Sequence, residues 1–266
     1  RPRDWSSDVC SSDLGTNIFT TFSASAFTMD GVSLSTAGGV DAFLAKTTTN
    51  GALVWIKKGG GANNDSGHPS ISENGNVVAF DSAATNLVPS ATLPATGGAW
   101  KVYVHEVGSG STEIVSVDGD GDVLTGEAMN PDVSSNGNWV AFASHQDLAQ
   151  LHHGTGSLQV FVYDRGTGDV ALASVNNDGT EGFGDSATTN APSVSDDGTL
   201  VTFESAATNL VPFDSNGRTD VFVHDFVADT TTRVSERKAF DEFGPFTAAT
   251  PHRLLDTRVS GLAMAS

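Results

Sequence analysis

A segment of about sixty residues occurs three times in this chain, and this repetition limits the folds that the chain can adopt. The three copies share the pattern Pro-x-x-Ser-x-x-Gly-x-x-Val-x-Phe and read HPSISENGNVVAF (68–80), NPDVSSNGNWVAF (130–142) and APSVSDDGTLVTF (191–203). The glycines Gly75, Gly137 and Gly198 lie 62 and 61 residues apart. Regular self-similarity of this kind is typical of propellers and other repeat architectures, in which each copy is one structural unit.

Each copy contains four short β-type runs in a constant order. An Asx-Gly dipeptide separates the first two runs and predicts a tight hairpin turn. The second run is apolar on both sides of its pleat, as in Val77, Val78 and Phe80, so both faces of its sheet must be covered. Four-stranded sheets clasped between neighbours are propeller blades. We therefore expect an all-β protein, a β-propeller, since the regular period argues against a β-sandwich.

The third copy carries further recurring motifs, SAATNLVP (205–212) and SNGRTDVF (215–222). These repeats resemble the WD-like, TolB-like repeats of bacterial β-propellers, and the resemblance covers residues 63–243. It implies three blades of four antiparallel strands. Their ranges are 63–125, 126–187 and 188–243. The middle copy departs from the pattern, with QDLAQ (146–150) where the others have TNLVP, which affects that loop and not its blade.

Residues 15–62 are similar to a different bacterial propeller repeat. The similarity rests on GGVDAFLAK (38–46) and NGALVW (50–55). It implies a partial blade that lacks its first strand. About four blades are then visible, as a partial ring of a larger propeller, with a closed four-bladed ring as the alternative.

Both ends of the chain have a separate interpretation. Residues 1–14 resemble a translated sequencing adapter, with 4–13 carrying the resemblance, so we interpret them as an assembly artefact and give Cys10 no functional role. Residues 244–266 are interpreted as a linker and the truncated start of a further β-rich surface module, because PHRLLDTR (251–258) resembles the opening of such modules. This implies that further domains are covalently linked in the intact protein.

The charge of the chain limits its partners. Thirteen Lys and Arg residues stand against 32 Asp and Glu, a net charge of -19. A negative field of this size repels phosphate backbones and favours basic partners, cations or simply solubility, so we expect no nucleic acid partner. No apolar run approaches the ~18 residues of a membrane span, so no transmembrane segment is predicted.

Catalysis is not predicted from the motifs. Ser, His and Asp are all present, but no Gly-x-Ser-x-Gly elbow occurs and the serines fall at repeat-equivalent strand positions. His105 and His224 are equivalent to Tyr163 of the middle copy, which favours local packing over a metal pair. The sequence indicates no cofactor apart from the calcium ion considered next.

A glycine-rich acidic loop is the candidate metal site. Asp118, Asp120 and Asp122 alternate with glycine, and carboxylates in that pattern can converge on calcium. The spacing is not that of an EF-hand. The equivalent loop of the next copy, VNNDGTE (175–181), favours the alternative that the loop is a blade-to-blade connection rich in turn-forming residues.

Tryptophans are the candidate ligand-binding residues, because sugars stack on aromatic faces. Trp139 lies in the second strand of its blade and is expected in the core. Trp100 follows a long loop, directly before a strand, and is our candidate for a ligand-binding residue. The long loops at 84–100 and 145–158 are the predicted recognition surface.

The resemblances together imply a secreted or cell-surface bacterial β-propeller, with the periplasm as another location. We expect a non-catalytic protein-binding, glycan-binding or scaffold module of a larger protein. The alternative is an accessory propeller of a hydrolase whose catalytic domain lies outside this chain. A calcium-stabilised spacer is the third hypothesis.

Overall fold

The chain folds almost entirely as β-strands and turns in the part that the structure describes. The structure is a computed structural model and describes residues 10–13, 17–24, 26–29, 32–35, 41–48, 53–58, 62–89, 99–149 and 156–235. All of them belong to the compact unit Arg1–Ser235. Within these ranges, no helix is long and apolar enough to cross a membrane.

Eighteen strands are described, and sixteen of them form four four-stranded sheets. Blade 1 consists of β1 (Cys10–Asp13), β2 (Asn17–Ala24), β5 (Asp41–Thr48) and β6 (Leu53–Lys58), and β3 (Ala26–Met29) pairs with β4 (Val32–Ser35) as a separate hairpin. Blade 2 consists of β7 (Ser66–Ile71), β8 (Val77–Ser82), β9 (Lys101–Glu106) and β10 (Thr112–Ile114). Blade 3 consists of β11 (Ala128–Val133), β12 (Trp139–Ser144), β13 (Gln159–Asp164) and β14 (Val170–Leu172). Blade 4 consists of β15 (Ser193–Val194), β16 (Leu200–Ser205), β17 (Asp220–Asp225) and β18 (Thr230–Arg233).

The predicted fold class is confirmed. In blades 2, 3 and 4 the strands follow one another as an antiparallel meander, which is the topology of a propeller blade. Blade 1 also has four strands, because β1 pairs with β2 over Cys10↔Thr21 to Asp13↔Ile18. The sheet thus begins inside the segment attributed to a sequencing adapter, where a blade without its first strand was expected. The adapter origin itself stays a prediction.

In blades 2, 3 and 4, the fourth strand ends two residues before a serine that recurs in the repeat. There a serine hydroxyl continues the ladder in place of a backbone carbonyl. The hydroxyls of Ser116, Ser174 and Ser235 accept the backbone N–H groups of Val102, Val160 and Val221, each at 3.0 Å. These repeat-equivalent serines therefore have a structural role.

The hydrophobic core consists of layers between neighbouring blades. Blades 2, 3 and 4 each have a stacked pair of rings on the face toward the preceding blade, namely Phe80–Tyr103, Phe142–Phe161 and Phe203–Phe222, with centroids 5.6, 6.3 and 5.9 Å apart. Its opposite face carries small aliphatic side chains, such as Val77, Ala79, Val102 and Val104 in blade 2, which pack against blade 3. Both faces of blades 2 and 3 are thus covered, as the sequence predicted.

Blade 4 exposes the face that is buried in blades 2 and 3. Leu200 and Val221 are 41% and 45% exposed, whereas their equivalents in blade 2, Val77 and Val102, are 7% and 0% exposed. This face of blade 4 carries apolar side chains like the faces that pack between blades elsewhere in the chain, which fits a partial propeller.

Candidate ligand-binding groove

A cavity of about 270 Å³ opens between blades 3 and 4. We call it the interblade groove, and it is lined by Trp139, Val162, Asp164, Asp169, Asp197 and Phe226, among other residues. The groove lies where the first and third hairpin turns of blade 4 meet the strand ends of blade 3. Apolar walls with a few polar groups around them are typical of ligand sites.

Trp139 forms one wall of the interblade groove. It is the first residue of β12, and its ring lies directly over the backbone of Gly198 in the next blade, since a Cβ added to Gly198 would lie 2.2 Å from the indole Cδ2. The expectation that Trp139 is a core residue is therefore only half right, because the side chain is partly buried against the core and also faces the cavity.

Phe226 forms a second aromatic wall. Its ring packs edge-on against the ring of His224, with centroids 4.5 Å apart and planes at 82°. His224 is buried, and its Nδ1 lies 2.9 Å from the Thr231 hydroxyl. Burial lowers the pKa of His224, so the neutral ring is the form that supports Phe226.

Three aspartates border the interblade groove. Asp164 and Asp169 flank the hairpin between β13 and β14, and Asp197 belongs to the first hairpin of blade 4. Hydrogen bonds from the hydroxyls of Ser195 and Thr199 lower the pKa of Asp197 to about 2, so this carboxylate is ionised at neutral pH. The groove therefore offers hydrogen-bond acceptors and negative charge beside two aromatic faces.

The equivalent space between blades 2 and 3 is filled by Arg165. Its guanidinium donates hydrogen bonds to Glu106 at 2.8 Å and to Glu113 at 3.0 Å, both in blade 2. A third hydrogen bond goes to the carbonyl oxygen of Gly137 at 2.8 Å. The Arg165 side chain is 15% exposed. The boundary between blades 2 and 3 is thus closed by the guanidinium of Arg165, whereas the boundary between blades 3 and 4 contains the interblade groove.

The two boundaries differ because Phe226 replaces Arg165 at the same repeat position. The backbone N–H of Arg165 donates to the carbonyl of Asn138, and that of Phe226 donates to the carbonyl of Thr199, both at 2.9 Å. Asn138 and Thr199 each follow the glycine of a first hairpin. Unlike Arg165, a phenylalanine cannot donate hydrogen bonds to the aspartates that line the cavity.

The acidic loop predicted to bind calcium is closed by its own carboxylate. Oδ1 of Asp118 accepts the backbone N–H groups of Asp120 at 3.0 Å and Asp122 at 2.9 Å. In the next copy, Oδ1 of Asn176 accepts those of Asp178 and Thr180 in the same way, each at 2.9 Å, without a charge. Over the described ranges, no three His, Cys, Asp or Glu side chains are grouped so that they could hold a metal ion.

Calcium binding at Asp118, Asp120 and Asp122 stays a prediction with a direct test. If the site exists, millimolar Ca²⁺ added after chelation raises the Tm of the wild-type chain, because a ligand that binds only the folded state stabilises it. Asp118→Asn is the matched control, since Asn176 shows that an amide closes this type of loop. A Tm that is the same in chelator and in calcium would reject the site.

Trp100 and the two repeat-equivalent histidines are the remaining residues that the sequence analysis considered as candidates for a site. Trp100 is half-buried, and its carbonyl oxygen accepts the N–H of Ala128 at 2.9 Å. His105 Nδ1 lies 2.9 Å from the Thr112 hydroxyl, which repeats the contact between His224 and Thr231 in blade 4. Residues 90–98 and 150–155 of the two long loops lie outside the described residues.

Sequence reasoning missed the interblade groove. Asp164 ends a strand run that recurs in all three copies, but neither Asp169 nor Phe226 belongs to a recognised motif. A signal was nevertheless present, because aligning the three copies places Val107, Arg165 and Phe226 at one position, where the residue type changes while the flanking pattern stays constant.

Comparisons with known proteins support the fold alone. No protein-family model matches the chain, and no curated protein matches it. Among solved structures, the chain is similar to TolB from Acinetobacter baumannii, with a TM-score of 0.51 and 14% identity over 87% of this chain and 43% of that one. It is also similar to a puromycin-hydrolyzing peptidase from Mycobacterium tuberculosis, with a TM-score of 0.51 and 15% identity over 88% of this chain and 29% of that one. The chain therefore spans less than half the length of either protein.

Proposed function

We propose that this chain is a non-catalytic binding module of a larger protein, recognising a protein or a glycan. The observation that carries this proposal is the open interblade groove, where two aromatic side chains and three carboxylates surround a cavity of about 270 Å³. The neighbouring boundary, between blades 2 and 3, has the same backbone arrangement but is closed by Arg165. Such a local difference on a repetitive scaffold is where function is expected.

The serine hydroxyls support a structural reading of the repeat motifs. Ser72, Ser134 and Ser195 each accept a backbone N–H across the first hairpin at 3.0 Å. Each also donates to the Asx side chain of that hairpin, at 2.9, 2.9 and 2.7 Å respectively. Hydroxyls used in this way stabilise the turns and are poorly placed to act as nucleophiles.

An accessory role beside a hydrolase domain is the second candidate. The observation that favours it is the similarity to a puromycin-hydrolyzing peptidase, of which this chain covers 29%. At 15% identity this likeness concerns the fold. Sequencing the source locus on both sides of the chain tests this candidate, since a hydrolase domain in the same reading frame is then expected.

For the binding module we propose a secreted or cell-surface location, or the periplasm, in covalent linkage to further domains. The net charge of -19 supports basic partners over nucleic acids.

The proposed function is tested with the purified chain on a glycan array and on an array of peptides, together with a panel of peptidase and glycosidase substrates. We expect saturable binding to at least one array ligand and no turnover. Turnover of any substrate by the chain alone would contradict the proposal, and so would the absence of binding to both arrays.

Trp100 is the residue that we propose for ligand binding on the loop surface. For an array ligand bound there, Trp100→Ala is expected to lower affinity about five-fold, because it removes an aromatic face worth about 1 kcal/mol. Trp100→Phe is the matched control and is expected to stay within about two-fold of the wild type, since it keeps an aromatic ring. Isothermal titration calorimetry measures both. If Trp100→Ala leaves the affinity for every array ligand unchanged, the role of Trp100 is rejected.

A further inference from the structure

We infer that the interblade groove binds the arginine side chain of a partner protein. The inference rests on the proposed binding function and specifies its site and the chemistry of its ligand. The boundary between blades 2 and 3 shows how the same backbone arrangement surrounds the guanidinium of Arg165.

Arg165 defines the acceptors that such a site needs. Its guanidinium is held by Glu106 and Glu113 of blade 2 and by the carbonyl oxygen of Gly137. Planar guanidinium groups suit such sites because their donors form a fixed fork that matches carboxylate and carbonyl oxygens.

The interblade groove repeats the main acceptors. Asp164 occupies the position of Glu106, since Trp139 pairs with Asp164 in blade 3 as Val77 pairs with Glu106 in blade 2. Gly198 occupies the position of Gly137, and each of these glycines closes its hairpin through a bond to the serine carbonyl three residues before it.

The carboxylate of Glu113 has a different replacement. Its position is taken by Ala171, but Asp169 and Asp197 add carboxylates to the lining of the interblade groove. Oδ1 of Asp164 accepts a hydrogen bond from the N–H of Gly166 at 2.7 Å, and a carboxylate has capacity for several more. Negative charge therefore collects around the space that Arg165 fills at the neighbouring boundary.

The aromatic walls distinguish a cation from a neutral ligand. Trp139 and Phe226 both line the cavity. An arginine guanidinium stacks favourably on such ring faces while its edge donates to the carboxylates, so one group satisfies both kinds of contact. The Asp164 and Asp197 carboxylates and the Gly198 carbonyl can only accept hydrogen bonds, and a guanidinium only donates them.

We infer a protein as the partner, because an arginine side chain, that of Arg165, fills the equivalent space between blades 2 and 3. The net charge of -19 favours the approach of a basic segment of such a partner.

The test uses the 266-residue chain and argininamide as the probe, with the indole N–H resonance of Trp139 as the readout. We expect a saturable shift with argininamide. Citrullinamide, which has nearly the same shape but no charge, is expected to bind at least about ten-fold more weakly. Lysinamide is expected to bind about three-fold more weakly than argininamide, because an ammonium lacks the planar fork.

Two variants test the location. Phe226→Arg rebuilds the arrangement seen at Arg165 and is expected to abolish the argininamide shift. Asp169→Asn is expected to weaken binding about three-fold, whereas Asp178→Asn, which removes an exposed carboxylate in another loop, leaves it unchanged. Asp169→Asn keeps the test valid if Phe226→Arg does not fold.

Equal binding of argininamide and citrullinamide would overturn the inference, and so would equal binding of argininamide and lysinamide or a shift that survives Phe226→Arg. A further outcome separates the inference from the proposed function. If array ligands bind the wild type and the Phe226→Arg chain equally tightly and argininamide binds neither chain, the inference is overturned and the proposed binding function stands. If argininamide binds but no ligand on either array does, the result supports the inference and counts against the proposed function as a protein- or glycan-binding module.

Discussion

Replacing Gly198 with alanine is expected to lower the free energy of unfolding by about 3 kcal/mol and the Tm by about 6–12 °C. Two costs add at this position. Gly198 has a φ of +71°, which an alanine adopts only with strain. Its new methyl group would also lie 2.2–2.6 Å from three atoms of the Trp139 ring, so the indole or the hairpin must move.

Gly179→Ala is the matched control for the backbone cost. Gly179 has a φ of +76°, and a Cβ added there meets nothing within 4 Å. We expect this variant to lose only about 1 kcal/mol, or about 2–4 °C in Tm. Urea and thermal unfolding measure both variants. Equal losses would show that the contact between Gly198 and Trp139 contributes nothing.

A double variant tests whether contact with the Trp139 ring accounts for the stability that Gly198→Ala loses beyond the backbone cost. In a Trp139→Ala background, Gly198→Ala is expected to cost about as much as Gly179→Ala, about 1 kcal/mol, because the ring that it meets is gone. A cost that stays near 3 kcal/mol in this background would place the strain elsewhere in the hairpin.

The repeat made the blades predictable. A period near sixty residues, an Asx-Gly turn between the first two runs and apolar residues on both sides of the second strand specify a four-stranded sheet with both faces covered. Each of these features acts within one copy, so a single sequence shows it. The stacked pairs, such as Phe142–Phe161, follow because both aromatic residues recur at fixed positions on adjacent strands.

The interblade groove was not predictable in the same way. Whether a side chain fills a groove or borders it depends on the residue that the adjacent blade places opposite, about sixty positions away. Arg165 binds Glu106 across that distance, whereas Phe226 packs against His224 of its own blade. The same dependence explains Trp139. Its strand position predicts a core residue, as at the equivalent Val77 of blade 2, but beside blade 4 the side chain also lines the groove.

The acidic loop shows another limit of pattern reading. Alternating carboxylates suggested an ion, but the Asp118 carboxylate binds the N–H groups of its own loop. Asp and Asn share that capacity, and only the equivalent Asn176 in the next copy indicated that the charge is dispensable.

Polar side chains also connect the first strands of the blades, and Asp132 is central among them. Its Oδ1 accepts the hydroxyl of Ser70 in blade 2 at 2.9 Å, and its Oδ2 accepts the N–H of Val194 in blade 4 at 3.2 Å. The same Ser70 hydroxyl oxygen accepts the N–H of Val133 at 3.1 Å. Ser70, Asp132 and Ser193 each follow the proline of a repeat, so one acid at this position links three blades.

Asp132→Ala is therefore expected to lower the free energy of unfolding by about 2 kcal/mol, because it leaves the Val194 N–H and the Ser70 hydroxyl without this acceptor. The corresponding decrease in Tm is about 4–8 °C. Asp132→Asn is the isosteric control. It keeps one carbonyl acceptor and is expected to lose about half as much, about 1 kcal/mol. Equal stability of the wild type and Asp132→Ala in urea would contradict the bridging role.

The pH dependence separates the charge of Asp132 from its hydrogen bonds. Burial raises the pKa of Asp132 above its usual 3.8, although hydrogen bonds from Ser70 and Val194 oppose the shift. At pH values between 3.8 and the higher pKa of the folded state, the Asp132 carboxyl binds more protons in the folded chain than in the unfolded chain. The free energy of unfolding therefore increases as the pH falls through this range. The wild type should gain stability relative to Asp132→Asn over that range, as measured by urea unfolding at a series of pH values. A difference between the two chains that stays constant with pH would mean that the buried charge has no energetic cost, and the link between blades would then be a matter of hydrogen bonding alone.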